Sequence, residues 1–395
     1  MKVLEISHMY PLFYDLNNGI AIHKQIKILK DKRCEISVIS PIPWSPFPIK
    51  YMSNKWNLYS KIPKYKVMED VEVYHPRYLT FPKSYLLASS GIRMYQGIKK
   101  LVEKLCHKFP FDIIHTHMAL PDGYAGMLLS KDYNKPLIIT FQATDLDITA
   151  KHDNNCLQSL KKVFMTADKI ISPSPRLNKQ LFDKFKIKSN TIGYGIDPKN
   201  IFIGDSNIKF KYKDNFILLS VSRLIKTKGI VLNIYALKEL VKRYKRIVYL
   251  IVGDGPQRQY LKDLVLNLGL EKNVEFIGQL PNRNVMEYMS ICDLFTLPSW
   301  QETLGLVYLE VMAHGKPVIG VRGQGIDGIV EHKRNGMLVE PKDIDSLVEG
   351  IEYLTNHPQE ARKMGERAKE LVLENYTWEQ NAEKTLKVYQ EVLEK

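Results

Sequence analysis

The reading of this chain turns on Leu294-Phe295-Thr296-Leu297-Pro298-Ser299-Trp300-Gln301-Glu302-Thr303-Leu304-Gly305-Leu306-Val307-Tyr308-Leu309-Glu310-Val311-Met312-Ala313-His314-Gly315. A short apolar run ends at Pro298-Ser299 and a polar turn carries Glu302. A helix-forming run then stops at Gly315, with Pro317 behind it. Strand, turn and helix in that order are one unit of a parallel sheet. Thr303 and Gly305 fall at the helix start, where backbone N–H groups without helical partners and the helix dipole favour an anion. Glu310 follows Glu302 at a spacing of roughly 12 Å if both were helical. That is the scale of a sugar–diphosphate–ribose unit, so one carboxylate suits sugar hydroxyls and the other a ribose. On spacing alone the two glutamates read more readily as a solvated helix face, and the rest of the chain has to decide.

Upstream lies Ser220-Val221-Ser222-Arg223-Leu224-Ile225-Lys226-Thr227-Lys228-Gly229, another strand end followed by a helix start. Arg223 and Lys228 can both face a ligand there. A planar guanidinium and a point-charge ammonium suit a leaving diphosphate, on which charge builds as its bond breaks. Gly253-Asp254-Gly255-Pro256 and Gly278-Gln279-Leu280-Pro281 end two further apolar runs; the first reads as a strand-to-helix turn.

The same alternation runs along most of the chain. Strands are expected at Val3–Ser7, Ile36–Ser40, Ile113–His115, Leu137–Phe141 and Lys169–Ser172, then at Phe216–Ser220, Val248–Val252, Val274–Ile277, Leu294–Leu297 and Pro317–Val321. Two such series in 395 residues predict two doubly wound α/β domains facing across a central cleft. The hinge is placed at Gly193-Tyr194-Gly195-Ile196-Asp197-Pro198. Ligands of such sheets bind beyond the carboxyl ends of the strands, so the cleft is the expected site. Residues 41–85 break the pattern with prolines, aromatics (Trp44, Phe47, Tyr51, Trp56, Tyr59, Tyr65) and lysines, and Tyr85–Lys108 reads as an amphipathic helix. The aromatics suit either a membrane interface or a local core under a long loop.

Charge is unevenly placed. Residues 1–200 hold 30 Lys+Arg against 17 Asp+Glu, whereas the remainder holds 27 against 26. A one-sided basic field suits an anionic partner such as a membrane surface or a phosphate-bearing acceptor, unless it simply reflects a basic soluble protein. The four scattered cysteines form no Cys-x-x-Cys pair, which argues against a zinc site or a disulfide framework and for a reducing cytosol. The start lacks a long apolar region and reads as no signal peptide, and apolar runs are of strand length. A cytoplasmic protein, or one peripheral on the inner face of the plasma membrane, is expected.

Taken in order, these residues resemble the retaining GT-B glycosyltransferases called family 4, whose signature is a Glu, seven residues and a second Glu, preceded by an Arg and a Lys-Gly. The resemblance covers almost the whole chain. The family's early glycine loop is similar to Asn17-Asn18-Gly19-Ile20, its His and Pro-Asp-Gly run to His117 with Pro121-Asp122-Gly123, and its Asp-terminated loop to Phe141-Gln142-Ala143-Thr144-Asp145. It implies an N-terminal acceptor domain over residues 1–197, joined by a returning helix at 378–395, and a donor domain over 198–377 that binds a nucleotide diphosphate sugar (UDP- or GDP-linked). It further implies that Arg223 and Lys228 hold the diphosphate while Glu302 faces the donor sugar, a catalytic trio. Glu310 would meet the ribose, and backbone at Thr303, Leu304 and Gly305 the sugar or phosphate. Gly19 would close over the donor, and Gly278, Gln279 and Leu280 would bracket the base. His117, Gln142 and Asp145 are the expected acceptor contacts. The family needs no metal, in keeping with the missing metal-ligand spacing, and it implies a glycan or lipid-linked acceptor in cell-envelope polysaccharide or glycolipid synthesis.

Two positions depart from the family pattern. Gln142-Ala143-Thr144-Asp145 stands where His-Gly-x-Asp is common, and glutamine can donate to a hydroxyl but cannot titrate. Gly323-Gln324-Gly325-Ile326-Asp327-Gly328 lacks the family's glutamate, with Asp327 as its nearest substitute. That turn satisfies Gly-x-Gly-x-x-Gly, yet no substantial helix is expected after it, so it reads as a phosphate- or sugar-facing turn rather than a dinucleotide fingerprint. His8 and His115 read as packing or hydrogen-bonding residues. His117 stays open between packing and binding, and Asp145 between an acceptor ligand and a helix cap. Rival readings are another GT-B enzyme (an epimerase, acting without an acceptor, or a phosphorylase) and a basic nucleic-acid-binding protein, for which no recognisable motif is present.

Overall fold

The computed structural model describes residues 1–16, 18–51, 53–201 and 206–394. Asn17 of the early glycine loop and Lys395 at the end of the expected returning helix lie outside the described residues. The chain forms two compact units: Met1–Pro173 with Leu177–Gly193 and Asn381–Lys395, and Ser174–Arg176 with Tyr194–Gln380.

The first unit is built on an eight-stranded sheet. Its strands are β1 (Lys2–Ile6), β2 (Glu35–Ile39), β3 (Tyr65–Met68), β4 (Val71–Tyr74), β5 (Ile113–His117), β6 (Leu137–Thr140), β7 (Lys169–Ser172) and β8 (Asn190–Thr191). They lie in the order β8-β7-β6-β5-β1-β2-β4-β3, parallel except for the β3–β4 hairpin. Successive strand residues point to opposite faces. Val3, Ile36, Val38, Ile113, Ile138 and Ile171 therefore enter one core, and Leu4, Ile6, Ile39, Ile114, Leu137 and Ile139 the other. Both faces are covered, which is why these strands read as unbroken apolar runs. The first core takes Ile22, Ile26 and Leu29 of helix Ile20–Asp31, with Ala382, Val388, Tyr389 and Val392 from the chain's last helix. The second takes Met94, Ile98, Val102 and Leu105 of Ser90–Lys108, one stripe at helical spacing.

Residues 41–85 turn out to do two things. Ile42–Pro43 pairs with Arg77–Tyr78, and Leu12, Ile42 and Ile62 form a small core with Tyr14 and Tyr59 against it. Trp44, Phe47, Tyr51 and Tyr85 stay exposed. The β3–β4 hairpin was not expected, because Tyr65-Lys66-Val67-Met68 forms an edge strand with no fully buried residue and so carries no continuous apolar run.

The second unit holds six parallel strands: β9 (Phe216–Val221), β10 (Ile247–Val252), β11 (Val274–Gly278), β12 (Leu294–Thr296), β13 (Val318–Val321) and β14 (Met337–Val339). Their order is β11-β10-β9-β12-β13-β14, so β9 and β12 are neighbours though far apart in sequence. A buried polar knot sits between them. Asn233 donates to Tyr249 Oη at 2.8 Å and to Ser220 Oγ at 3.1 Å, while Thr296 Oγ1 donates to Asn233 Oδ1 at 3.1 Å. Satisfied in this way, the knot fixes the β9–β12 register without stranding polar atoms.

Gly229 starts helix Ile230–Leu240 in the left-handed conformation, φ 70°, and a Cβ there would lie 2.1 Å from Pro298 O. The loops after β9 and β12 approach so closely that only glycine fits. Gly229→Ala is expected to lower unfolding free energy by about 2 kcal/mol or more, from backbone conformation and collision together. Urea denaturation reads this as a lower midpoint with unchanged slope.

Candidate functional site

Each unit carries its own cluster at the carboxyl ends of its strands. In the second unit the loop after β9 holds Arg223 and Lys228, and the loop after β12 holds Glu302. Ser299 Oγ and Trp300 N both donate to Thr227 O, each at 3.0 Å, stitching the two loops together. Lys228 Nζ then donates to Glu302 Oε1, with only 20% and 13% of the two side chains exposed. Arg176, which sequence reasoning did not single out, donates through Nη1 to the Glu302 carbonyl at 3.4 Å. Its position, far from this loop in sequence, offered no signal.

Gly305 turns the chain at φ 80° into helix Leu306–Ala313, which has no side-chain cap and no acidic residue in its first turn. Its first N–H groups lack a side-chain acceptor and lie at the positive end of the helix dipole. Thr303 is half-buried and Leu304 buried, their backbone packed against Gly325, where a Cβ would meet Leu304 N at 2.7 Å. The Gly323–Gly328 turn therefore braces this loop. Asp327 Oδ2 accepts from Gly323 N at 2.6 Å, and the next regular element is β14, so no dinucleotide-type helix follows. Glu310 is half-buried on the second turn of the helix, its carbonyl accepting from His314 Nδ1 at 2.8 Å if that nitrogen is protonated.

Arg223 is exposed, and its guanidinium has no partner among the described residues. The loop around it is nonetheless rigidly held: Leu224 N donates to Asp254 O and Gln257 N to Leu224 O, each at 3.0 Å. Gly253 N donates to Gly278 O at 2.8 Å, extending the stitching to β11. Gln279 is exposed and Leu280 half-buried just beyond it. The structure thus gathers Arg223, Lys228, Glu302 and Thr303–Gly305 on two adjoining loops. Gly278–Leu280 stands at the edge strand of the same sheet.

In the first unit Glu5 is the centre. It is 1% exposed, and its carboxylate meets His117 Nε2 at 2.8 Å, Tyr389 Oη at 3.0 Å and His115 Nδ1 at 3.3 Å. Burial opposes its ionisation, but the imidazoles of His115 and His117 outweigh it and hold the carboxyl well below the usual carboxylate range. His115 also meets Thr140 Oγ1 at 2.8 Å, and burial pushes its pKa down. An ionised carboxylate only accepts, so His117 Nε2 carries a proton. Nδ1 of His117 is fully buried and has no partner among the described residues, so in the neutral ring it is a bare acceptor. Donor atoms of Glu5, His115 and His117 lie within 4.8 Å of one another, and Tyr389 and Thr140 hydrogen-bond to His115 at the edge of that group.

Asp145 is fully buried, and its carboxylate accepts from Gln142 N at 2.9 Å, Ala119 N at 3.1 Å and Leu120 N at 3.2 Å. Burial raises its pKa to about 6 against those bonds. All of its close partners are backbone N–H groups, two of them at the start of the remote turn Ala119–Gly123. Gln142 is half-buried beside it. Gly19, at φ 71°, packs so tightly on Met9 that a Cβ would lie 1.8 Å from Met9 O.

His8, read from the sequence as a packing or hydrogen-bonding residue, finds its partner in Asp122. His8 Nδ1 lies 2.8 Å from Asp122 Oδ2, and His8 N donates to Asp122 Oδ1 at 3.2 Å. Asp122 is fully buried, whereas the His8 side chain is 27% exposed. Burial works against the imidazolium, but Asp122 outweighs it and raises the His8 pKa above its ordinary value. The residues lie 114 positions apart, so no local spacing joins them.

Among the described residues no helix is long and apolar enough to cross a membrane. Residues 29–200 match the family model "Glycosyltransferase Family 4" and residues 204–371 the model "Glycosyl transferases group 1". The chain is 30% identical over 295 residues to an N-acetyl-alpha-D-glucosaminyl L-malate synthase of Bacillus anthracis, across 71% of this chain and 75% of that protein. TuaC of Bacillus subtilis, named for teichuronic acid biosynthesis, is 26% identical over 358 residues, across 89% of this chain and 88% of its own. Among solved structures, Anabaena HepE in complex with UDP superposes with a TM-score of 0.72 at 20% identity, covering 99% of this chain and 100% of that one. The fold is accordingly GT-B, with Rossmann-like domains.

Because His8 has a raised pKa in the folded state, the stability it draws from Asp122 is full below its ordinary value of 6.5 and fades as pH rises through the folded value. His8→Asn should therefore lower the melting temperature most at pH 6 and below, with the gap from wild type narrowing towards pH 9. Scanning calorimetry across that range checks the sign; a gap that widens with pH overturns it.

Proposed function

The chain belongs to glycosyltransferase family 4, and on that footing we propose that it moves a hexose-type sugar from a UDP- or GDP-linked donor to a glycan or lipid-linked acceptor, with retention of configuration. The observation that carries this reading is the Lys228–Glu302 pair beside the uncapped helix start at Gly305. Without donor, Lys228 neutralises Glu302. A bound diphosphate competes for Lys228, joined by Arg223 and the helix N–H groups, and this frees Glu302 for the donor sugar's hydroxyls. Glu310 takes the ribose, and Gly278–Leu280 the base. Two cationic side chains and a helix dipole supply the positive charge that a metal would otherwise bring.

As the C1–O bond to phosphate breaks, charge develops on the diphosphate and C1 becomes oxocarbenium-like. The acceptor oxygen bonds to C1 on the face the phosphate leaves, and its proton passes to the departing phosphate oxygen. His117, fully enclosed with its Nε2–H held by Glu5, acts as a positioning residue for the turn after β5. Asp145 acts as a positioning residue, holding the backbone of Ala119, Leu120 and Gln142 rather than the acceptor. The UDP complex of the structural relative supports a UDP-linked donor, and the likeness to TuaC supports cell-envelope polysaccharide synthesis. The basic first unit, with Trp44, Phe47 and Tyr51 exposed, suits work at the inner membrane face.

Arg223→Ala and Lys228→Ala should each lower turnover by ~10²–10³-fold, as loss of other charge-stabilising donors does. Near-normal turnover in both would remove their assigned role. Proton NMR of the first-formed product should show the donor's anomeric configuration, and an inverted anomer would exclude the retaining route. Flotation should carry the protein with anionic liposomes but not with zwitterionic ones, and equal recovery with both would end the membrane assignment.

A further inference from the structure

A cavity of about 690 Å³ opens in the first unit beyond the carboxyl ends of β1 and β2. We propose that it is a carbohydrate site, holding an uncharged pyranose ring of the acceptor against Trp56, Tyr59 and Tyr14, with His8 bonding a ring hydroxyl. The assignment of that sugar as acceptor rests on the glycosyltransferase reading; the sugar site itself rests on the cavity.

Its walls come from two places that the sequence left unrelated. One is the loop after β1, bearing His8, Tyr14 and Asp15. The other is the aromatic segment 41–85, which supplies Trp56, Tyr59 and Phe81. The rings form a fixed cluster: Tyr59 lies edge-on to Trp56 at 6.1 Å and to Tyr14 at 6.4 Å between centroids. Aromatic faces carry negative charge density and attract the C–H face of a sugar, as they attract the positive edge of another ring. At the polar end, buried Asp122 holds His8 through Nδ1. Nε2 makes no hydrogen bond among the described residues, so it is pre-oriented for a hydroxyl. The volume falls within the usual range for small-ligand sites, and apolar walls with a few convergent polar groups are their usual make-up.

The charges select among ligands. Lys55 and Asp15 are both exposed at the cavity, and Asp122 balances any charge on His8. No positive excess remains for a diphosphate, unlike the Arg223 and Lys228 loop of the second unit. A bare acyl chain would in turn strip water from His8, Asp15 and Thr80 without replacing its hydrogen bonds. An uncharged saccharide satisfies both ends. The site also gives the segment that interrupts the strand–helix alternation a purpose.

Saturation-transfer difference NMR on the full chain tests this, using methyl pyranosides of the gluco, galacto, manno and N-acetylglucosamine series. At least one should receive saturation on its ring protons. Trp56→Ala should weaken that binding by about tenfold, the size of one good aromatic contact, and Trp56→Phe should restore most of it. Far-UV circular dichroism and a cooperative melting transition well above the assay temperature establish that the variants fold, and His8→Ala should cut the signal independently. Octyl glucopyranoside below its micellar concentration separates the sources. Saturation reaching the octyl chain points to a glycolipid, and saturation of ring protons alone to a glycan. No saturation of any pyranoside by wild type, or wild-type saturation in folded Trp56→Ala, overturns the proposal. Sugar binding without any thermal shift from UDP or GDP would leave the cavity assignment standing and count against the glycosyltransferase chemistry instead.

Discussion

Lys228 and Glu302 are 74 residues apart in the chain, and they meet because β9 and β12 lie side by side in a parallel sheet. Parallel strands present all their carboxyl ends at one edge, so loops from strands distant in sequence emerge together. The approach is close enough to demand Gly229 opposite Pro298, and tight enough for Thr227 to accept from both Ser299 and Trp300. Glu302 is held next to the start of an uncapped helix by the same contacts. Without that register the two charges would be ordinary surface residues, worth little to stability.

The two units solve opposite electrostatic problems. The second leaves positive charge near its surface: a guanidinium without a partner among the described residues, an ammonium paired with a carboxylate, and a helix start with no side-chain cap. The first buries acids and surrounds them. Glu5 is held by two histidines and Tyr389, Asp145 by three backbone donors, and Asp122 by His8. A buried carboxylate is expensive unless every oxygen has a donor, and here each acid organises its neighbours in return. Glu5 sets the tautomer of His117, Asp145 shapes the turn before helix Tyr124–Tyr133, and Asp122 orients His8 at the cavity. The last helix takes part through Tyr389, so the chain's end helps to set the protonation pattern at its beginning.

The open questions in the sequence divide along the same line. All ten expected strands form, because a strand buried on both faces must be apolar along its length and that is visible locally. Arg223, Lys228 and Glu302 stood out because each lies in a loop between a strand end and a helix start. His8 was read as a hydrogen-bonding residue without its partner, since Asp122 is remote, and Asp145 stayed open between an acceptor ligand and a helix cap because its donors at Ala119 and Leu120 are remote as well. Segment 41–85 was undecided for a similar reason. Its aromatics divide between a small core, a cavity wall and an exposed surface, and only the Ile42–Pro43 pairing with Arg77–Tyr78 sorts them.

By itself the sequence determined the α/β class, the positions of the strands and the residues at their ends, because each depends on apolar periodicity and on turn chemistry within a few residues. It also carried the family, through the ordered run from Arg223 to Glu310. The tertiary structure alone decided which charges pair, which histidine nitrogen is left bare and where a cavity opens. Those follow from strand order and long-range packing, and partners more than a hundred residues apart leave no mark on local sequence.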